Sequence, residues 1–149
     1  MALAEQIQAD LTAAMKARDA DTLMTLRLVV AAIRNVRVAE GHSGEVTDEE
    51  ALEVLAREAK RRSEAAEAYD QAGRAELAAA ERSELEVIRR YLPAQLGDDE
   101  LGAIVDEVIA EVGASGAGDL GKVMSAVMPR VKGRADGKQV NAAVRQRLT

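Results

Sequence analysis

Apolar residues recur every three or four positions along most of the chain, which is the spacing of an amphipathic helix. Up to Leu92 this spacing predicts four helices. Their predicted inward-facing residues are Leu3, Ile7, Leu11 and Ala14; Leu23, Leu26, Val30 and Ile33; Leu52, Leu55, Ala59, Ala66 and Tyr69; and Leu77, Leu85, Ile88 and Leu92. No run of alternating apolar and polar residues bounded by turns indicates a strand.

Capping and helix-breaking residues divide this pattern. Asp19 or Asp21 offers an N-cap for the second helix, and Thr47 followed by Glu50 has the spacing of a capping box for the third. Glycine favours the backbone conformation that ends helices, and the residue before a proline avoids helical backbone. The predicted helix ends are therefore near Gly41, Gly73 and Pro93.

A second group of helices is predicted after residues 92–97, which have the character of a hinge. The apolar stripes of these helices are Leu101, Ile104, Val105, Val108 and Val112; Leu120, Val123, Met124, Val127 and Val131; and Val140, Ala143, Val144 and Leu148. The glycine-rich stretch 113–118 predicts a loop, and Pro129 predicts that the middle helix kinks or ends near Met128. Asp136 can cap the last helix.

The predicted fold is therefore all-α, with an N-terminal four-helix domain over 1–92 and a C-terminal three-helix tail domain over 97–149. Tyr69 and Tyr91 are the only aromatic residues, so the core must be aliphatic. The chain has no cysteine, which excludes disulfides and thiolate metal sites. No apolar run approaches the ~20 residues of a membrane span, and no secretory signal is apparent, so the expected location is the cytoplasm.

The net charge of −6 argues against a generic nucleic-acid binder, but the charges are unevenly distributed. Residues 1–92 carry a net charge of −5, and residues 93–118 carry six acidic and no basic side chains. Residues 119–149 carry seven basic and two acidic side chains. The end of this acidic protein is thus a basic region.

Six side chains of this basic region are candidate RNA contacts, namely Lys122, Arg130, Lys132, Arg134, Lys138 and Arg145. Cations beside a helix N-terminus can hold phosphates, because their charge adds to that of the free backbone N–H groups. Gly133 and Gly137 would permit a close approach to the backbone. Without aromatic side chains to stack on bases, the pattern favours the backbone of a structured RNA. The competing interpretation is a plain solvated surface.

The stretch from Gly116 to Lys122 imitates a phosphate-binding loop, since it matches both G-x-G-x-x-G and G-x-x-x-x-G-K. Such a loop requires a preceding strand and a Ser or Thr after the lysine. An amphipathic helix precedes it here, and Val123 follows the lysine. The stretch is therefore predicted to be a linker between helices, with Asp119 or Gly118 as an N-cap.

From the remaining polar residues, the sequence predicts no catalytic residue, no metal site and no cofactor. His42, the only histidine, is expected in a solvated loop, since no pattern supplies it with a nucleophile and an orienting partner. The carboxylates of residues 98–100 are expected at a helix start, where they complement the dipole. The basic run 60–62 is expected on a solvated helix face among glutamates.

Two parts of the chain resemble the GatB/YqeY family, and together they cover nearly all of it. The tail signature comprises Gly121, Met124, Gly133, Ala135, Asp136, Gly137, Val140 and Asn141, with Lys122, Lys132 and Arg134 on matching positions. The stretches similar to the YqeY N-terminal domain are Thr25-Leu26-Arg27-Leu28, residues 31–35, Tyr91-Leu92-Pro93 and Gln95-Leu96.

The resemblance implies an α-helical two-domain protein. In the B subunit of the glutamyl/aspartyl-tRNA amidotransferase, this tail reaches toward bound tRNA, and the parent enzyme is a carbon–nitrogen ligase with glutamine as amide donor. The kinase-like catalytic region of that subunit and a glutaminase nucleophile have no counterpart in this sequence.

We therefore predict a tRNA-binding, amidotransferase-related module of translation that lacks its own active site. Its expected partners are tRNA, bound through the basic tail, and the aminoacyl-tRNA or amidotransferase machinery. The alternative is a helical protein–protein adaptor with no RNA role. A third possibility is an amide-transfer enzyme, for which the sequence offers no pair of titratable groups.

Overall fold

The structure is a computed structural model that describes residues 1–148. Over this range it contains seven α-helices and no strand, which confirms the predicted all-α class. The chain divides into two compact units, of which the first spans Met1–Leu92 and the second begins at Pro93. The helices are α1 (Leu3–Ala17), α2 (Ala20–Arg37), α3 (Asp48–Gln71) and α4 (Ala75–Arg89) in the first unit, and α5 (Asp98–Val112), α6 (Leu120–Val131) and α7 (Gly137–Arg147) in the second.

In the first unit, α2 and α3 each contact the other three helices. Its core is aliphatic, and the fully buried large side chains include Ile7, Leu26, Leu55 and Ile88. At the edge of this core, the Tyr91 hydroxyl donates a hydrogen bond of 2.6 Å to the Asp10 carboxylate. Burial and this bond raise the pKa of Tyr91 above its usual range, so the phenol stays neutral and continues to donate.

The second unit packs α5, α6 and α7 against one another. Most of its fully buried side chains are valines, which suits close helix contact. These are Val105 and Val108 of α5, Val123, Val127 and Val131 of α6, and Val140 and Val144 of α7. Leu101 and Leu148 are also buried in this core.

Three of the predicted caps are present. The Asp19 carboxylate accepts from the Thr22 N–H, and the Asp136 carboxylate accepts from the Gln139 N–H. Thr47 and Glu50 form the complete reciprocal box at the start of α3. Each bond satisfies a backbone donor that the helix itself leaves without a partner.

Several predicted helix ends and orientations were wrong. α2 ends at Arg37 rather than near Gly41, because the chain leaves the core there and Val38 is 72% exposed. Of the kink or end predicted near Met128, the end is wrong, because α6 continues past Pro129 to the buried Val131. Leu77, predicted to face inward, is 44% exposed, and the neighbouring Ala78 is buried in its place. Residues 117–119, which overlap the end of the predicted loop 113–118, form a short 3₁₀ turn.

Arg62 contradicts the prediction of a solvated basic face. Its side chain is 7% exposed and lies between two glutamates, with Nη1 at 2.6 Å from Glu58 Oε2 and Nε at 3.0 Å from Glu84 Oε2. Lys60 and Arg61 are exposed as predicted. Arg62 differs because α4 packs against α3 and brings Glu84 to it, so this cation joins the two helices from within.

His42 also differs from its predicted solvated position. Its side chain is only 13% exposed, and Nε2 lies 2.8 Å from Oε2 of Glu50, the glutamate of the capping box. Its Nδ1 is buried without a hydrogen-bond partner among residues 1–148. The histidine thus packs against the start of α3, and the loop before this helix is anchored to its first turn.

The capping box makes part of the stability dependent on pH. The hydrogen bond from the Thr47 backbone N–H lowers the pKa of Glu50 below its usual value, and His42 contributes in the same direction. Because the pKa is lower in the folded state, the charge of Glu50 stabilises the fold above the unfolded-state pKa, and this is lost as the pH falls through the folded-state pKa.

We expect Glu50→Gln to be less stable than the unmodified protein at pH 7, with the difference vanishing between about pH 5 and pH 3. Urea unfolding at a series of pH values measures this difference in stability. Glu64→Gln, on the exposed part of the same helix, is the control. A destabilisation by Glu50→Gln that persists unchanged at pH 3 contradicts the argument.

Candidate nucleic-acid interface

The six candidate RNA contacts extend over α6, the turn that follows it, and α7. Lys122 lies in the first turn of α6 and Arg130 in its last. Eight residues of helix separate them by about 12 Å along the axis. Lys132 and Arg134 lie in the turn, and Lys138 lies in the first turn of α7. The structure therefore places Lys122 at the opposite end of α6 from the turn.

Two of the candidate arginines face carboxylates of α5. Arg130 Nη2 lies 3.0 Å from Glu107 Oε2, and its Nη1 lies 3.9 Å from Glu111 Oε2. Arg134 Nη2 lies 4.0 Å from Glu100 Oε2. The acidic α5 thus compensates part of the basic region within the same unit. These exposed pairs are weak, but they reduce the field that a phosphate would meet.

The cations without a carboxylate partner include two on one face of α7. Lys138 and Arg145 are exposed and form no ion pair with any residue that the structure describes. They lie seven residues apart, which places them two turns and about 10 Å apart on the same side of the helix. Arg145 Nε donates to Asn141 Oδ1 at 2.7 Å, which orients the guanidinium along this face. We call Lys138, Asn141 and Arg145 the α7 basic stripe.

The turn before α7 is held by the segment 93–96. The Leu96 N–H donates to the Arg134 carbonyl at 2.9 Å, and Gln95 Nε2 donates to the Gly133 carbonyl at 3.0 Å. Arg134 Nε in return donates to the Ala94 carbonyl at 3.1 Å. Gly133 has φ +77°, a conformation that other residues rarely adopt. Several residues that carry the family resemblance therefore shape this turn.

The remaining signature residues have mostly structural positions. Ala135 and Val140 are buried in the second core, and Met124 packs against it. The Asp136 carboxylate bonds the Gln139 N–H at 2.8 Å, so the N-terminus of α7 already holds an anion of its own. A phosphate would have to displace this cap, which moves the interface from the helix end to the α7 basic stripe. Gly121 has open space where a side chain would stand, so packing does not require glycine there.

Arg147, which is not among the six candidate contacts, is also part of this arrangement. Its Nε donates to Asp106 Oδ1 of α5 at 2.7 Å, and its guanidinium crosses over Gly102. A side chain at Gly102 would collide with that guanidinium. A glycine in the middle of a helical pattern was the available signal, because it marks a close approach by another group.

The other motifs of the second unit lie where the sequence predicted them. Residues 116–119 lie between α5 and α6, and residues 120–122 form the first turn of α6, with no strand among the described residues before them. Asp119 is at the N-cap position, and its carboxylate accepts from the Ser115 N–H at 3.0 Å. The carboxylates of residues 98–100 occupy the first turn of α5. Within residues 1–148, no group of three or more histidine and carboxylate side chains could hold a metal ion.

Across the same described residues, none of the helices combines the length and the apolar character needed to cross a membrane.

Comparison with known proteins gives three similarities. A family model described as Yqey-like protein matches residues 4–148. A glutamyl-tRNA(Gln) amidotransferase subunit of Thermococcus gammatolerans is 37% identical over 57 residues, which span 36% of this chain and 9% of that protein. Altered inheritance of mitochondria protein 41, mitochondrial, of Pyrenophora tritici-repentis is 29% identical over 146 residues, which span 95% of this chain and 78% of that protein.

Proposed function

The chain belongs to the family of Yqey-like proteins, and we propose that it is a tRNA-binding module without an active site of its own. Its relation to amidotransferase subunits supports tRNA as the RNA class, since one relative is named for glutamyl-tRNA(Gln). The observation that carries the proposal is the α7 basic stripe, whose two cations face solvent in a chain of net charge −6.

The stripe suits a nucleic-acid backbone better than bases. Lys138 and Arg145 offer cations about 10 Å apart on a rigid helix, and the chain has no Phe or Trp to stack on bases. Such contacts depend on the shape and phosphates of a folded RNA. Because α5 compensates Arg130 and Arg134, we expect few phosphate contacts and weak, salt-sensitive binding.

The proposal assigns the roles of the two units. The first is the YqeY N-terminal domain, and the second is the tail that faces tRNA. The proposed setting is translation in the cytoplasm, with the aminoacyl-tRNA or amidotransferase machinery as the protein partner. The similarity over 57 residues to an amidotransferase subunit supports this partner, and it leaves the catalytic step to other chains.

The test is fluorescence anisotropy of labelled tRNA against the full chain at several salt concentrations. We expect Lys138→Ala with Arg145→Ala to weaken binding about tenfold at low salt and to reduce the slope of log K against log salt by about 1.5. Lys16→Ala with Arg57→Ala is the matched control, because it removes the same charge from exposed positions of the first unit.

If both double variants weakened tRNA binding equally, the loss would come from net charge alone, and this would overturn the proposal. Binding that is indifferent to salt or to the α7 variant would also overturn the proposal. Circular dichroism of each variant establishes that the helices are retained.

A further inference from the structure

A groove runs between α1 and α2 in the first unit. Leu11, Val30 and Ala31 give it an apolar floor, and Gln8 lies on the α1 side. The cavity at this point is about 290 Å³. It continues along the same two helices toward Arg37 and Val46. From Arg27 to Arg37 the groove follows α2 for about 15 Å, which is the length of three helical turns.

Several large apolar side chains on or next to α1 and α2 are exposed. On α2, Met24 is 57% exposed and Leu28 is 49% exposed, and Val38, the residue that follows the helix, is 72% exposed. With the exposed Ala31, Met24 and Leu28 are spaced by four and three residues, so these three side chains form a single stripe on α2. On α1, Met15 is 50% exposed and lies one turn beyond Leu11. Exposed apolar side chains in one continuous surface are typical of an interaction site.

Two of the charged residues that line the groove are arginines without an acidic partner among residues 1–148. Arg27 and Arg34 line the groove two turns apart, and neither forms an ion pair with a described residue. Arg37, by contrast, pairs with Glu45 at 2.9 Å at the far end, where Glu5 also lies. The apolar stripe is thus accompanied by two uncompensated arginines in a unit that is otherwise acidic.

We propose that the α1–α2 groove binds an amphipathic helix of a partner protein, with leucine-like residues facing Ala31 and glutamates or aspartates facing Arg27 and Arg34. The apolar floor and the exposed Met24 and Leu28 favour a helix face over an RNA backbone. The arginines favour an acidic occupant over a second copy, because a copy seated here would bring its own Arg27 and Arg34 into the same groove.

The proposal is independent of tRNA binding, since the α7 basic stripe lies in the other unit. The probe is a labelled synthetic peptide of about 15 residues, with leucines on one helical face and glutamates flanking them. A companion peptide has the same leucines and lysines in place of the glutamates. Anisotropy measures both against the full chain.

We expect the glutamate peptide to bind and the lysine peptide to bind at least about tenfold more weakly. Arg27→Glu with Arg34→Glu should reverse this preference. Arg57→Glu with Arg74→Glu, an equal charge change at exposed positions outside the groove, should leave it unchanged. Leu28→Asp should weaken binding of both peptides, which keeps the apolar contribution testable separately.

Equal binding of the two peptides, absence of binding by both, or a preference that Arg27→Glu with Arg34→Glu leaves intact overturns the proposal. Light scattering identifies a second copy as the occupant if the chain dimerises and Leu28→Asp separates it, and this outcome also overturns the proposal. Loss of tRNA binding in the arginine variant would assign the groove to RNA instead.

Discussion

Replacing Arg62 by Met is expected to lower the free energy of unfolding by about 3–5 kcal/mol. Its guanidinium contacts Glu58 and Glu84 at 2.6 Å and 3.0 Å, and Glu58 is only 14% exposed. The substitution keeps the volume of the side chain but leaves two carboxylates facing each other across α3 and α4 without a cation. Urea unfolding at neutral pH measures the loss.

The neighbouring Arg61→Met is the matched control, because Arg61 is 78% exposed and lies 3.9 Å from Glu58. We expect it to change stability by less than about 0.5 kcal/mol. Adding Glu58→Gln and Glu84→Gln to Arg62→Met should restore much of the loss, since the charges left unpaired are then removed. A small effect of Arg62→Met alone would show that water replaces the guanidinium.

The second large effect is expected in the smaller unit. Leu101 is 1% exposed, and Leu101→Ala should remove about 2–5 kcal/mol from a unit that has little stability to lose. We expect that unit to unfold first, which gives two separate transitions in urea and abolishes tRNA binding. Circular dichroism follows the helices, and anisotropy follows the RNA.

Leu77→Ala makes the same chemical change at a side chain that is 44% exposed. It should leave one transition and intact RNA binding, with a loss below about 1 kcal/mol. If Leu101→Ala instead lowers the stability of the whole chain in a single transition, the two units unfold together.

The periodicity of apolar residues was sufficient to predict the helices, because each helix must bury one face. It could not predict Arg62, because its partner Glu84 is 22 residues away on the next helix. A pattern that assigns charged residues to the solvent is wrong wherever a second helix supplies the opposite charge. The prediction that Leu77 faces inward was wrong for a related reason. The small Ala78 is buried where α4 packs closely, and the larger Leu77 beside it stays exposed.

For the candidate site, the sequence predicted only a group of basic residues and not their arrangement. The sequence shows that seven cations lie after residue 118, but it does not show which of them face α5. Arg147 meets Asp106 across 41 residues of chain, and Arg130 meets Glu107 across 23. These pairings arise from helix packing, so the exposed α7 basic stripe became visible only in three dimensions.

The hydrogen bonds of residues 93–96 set a rule for dissecting the protein. A fragment that starts at Gly97 would discard Leu96, a core residue that is 5% exposed, together with its bond to the Arg134 carbonyl. It would also lose the hydrogen bond that the Gln95 side chain donates to the Gly133 carbonyl. An excised tail intended for RNA work should therefore begin at or before Pro93, and a purification tag should be joined there through a spacer.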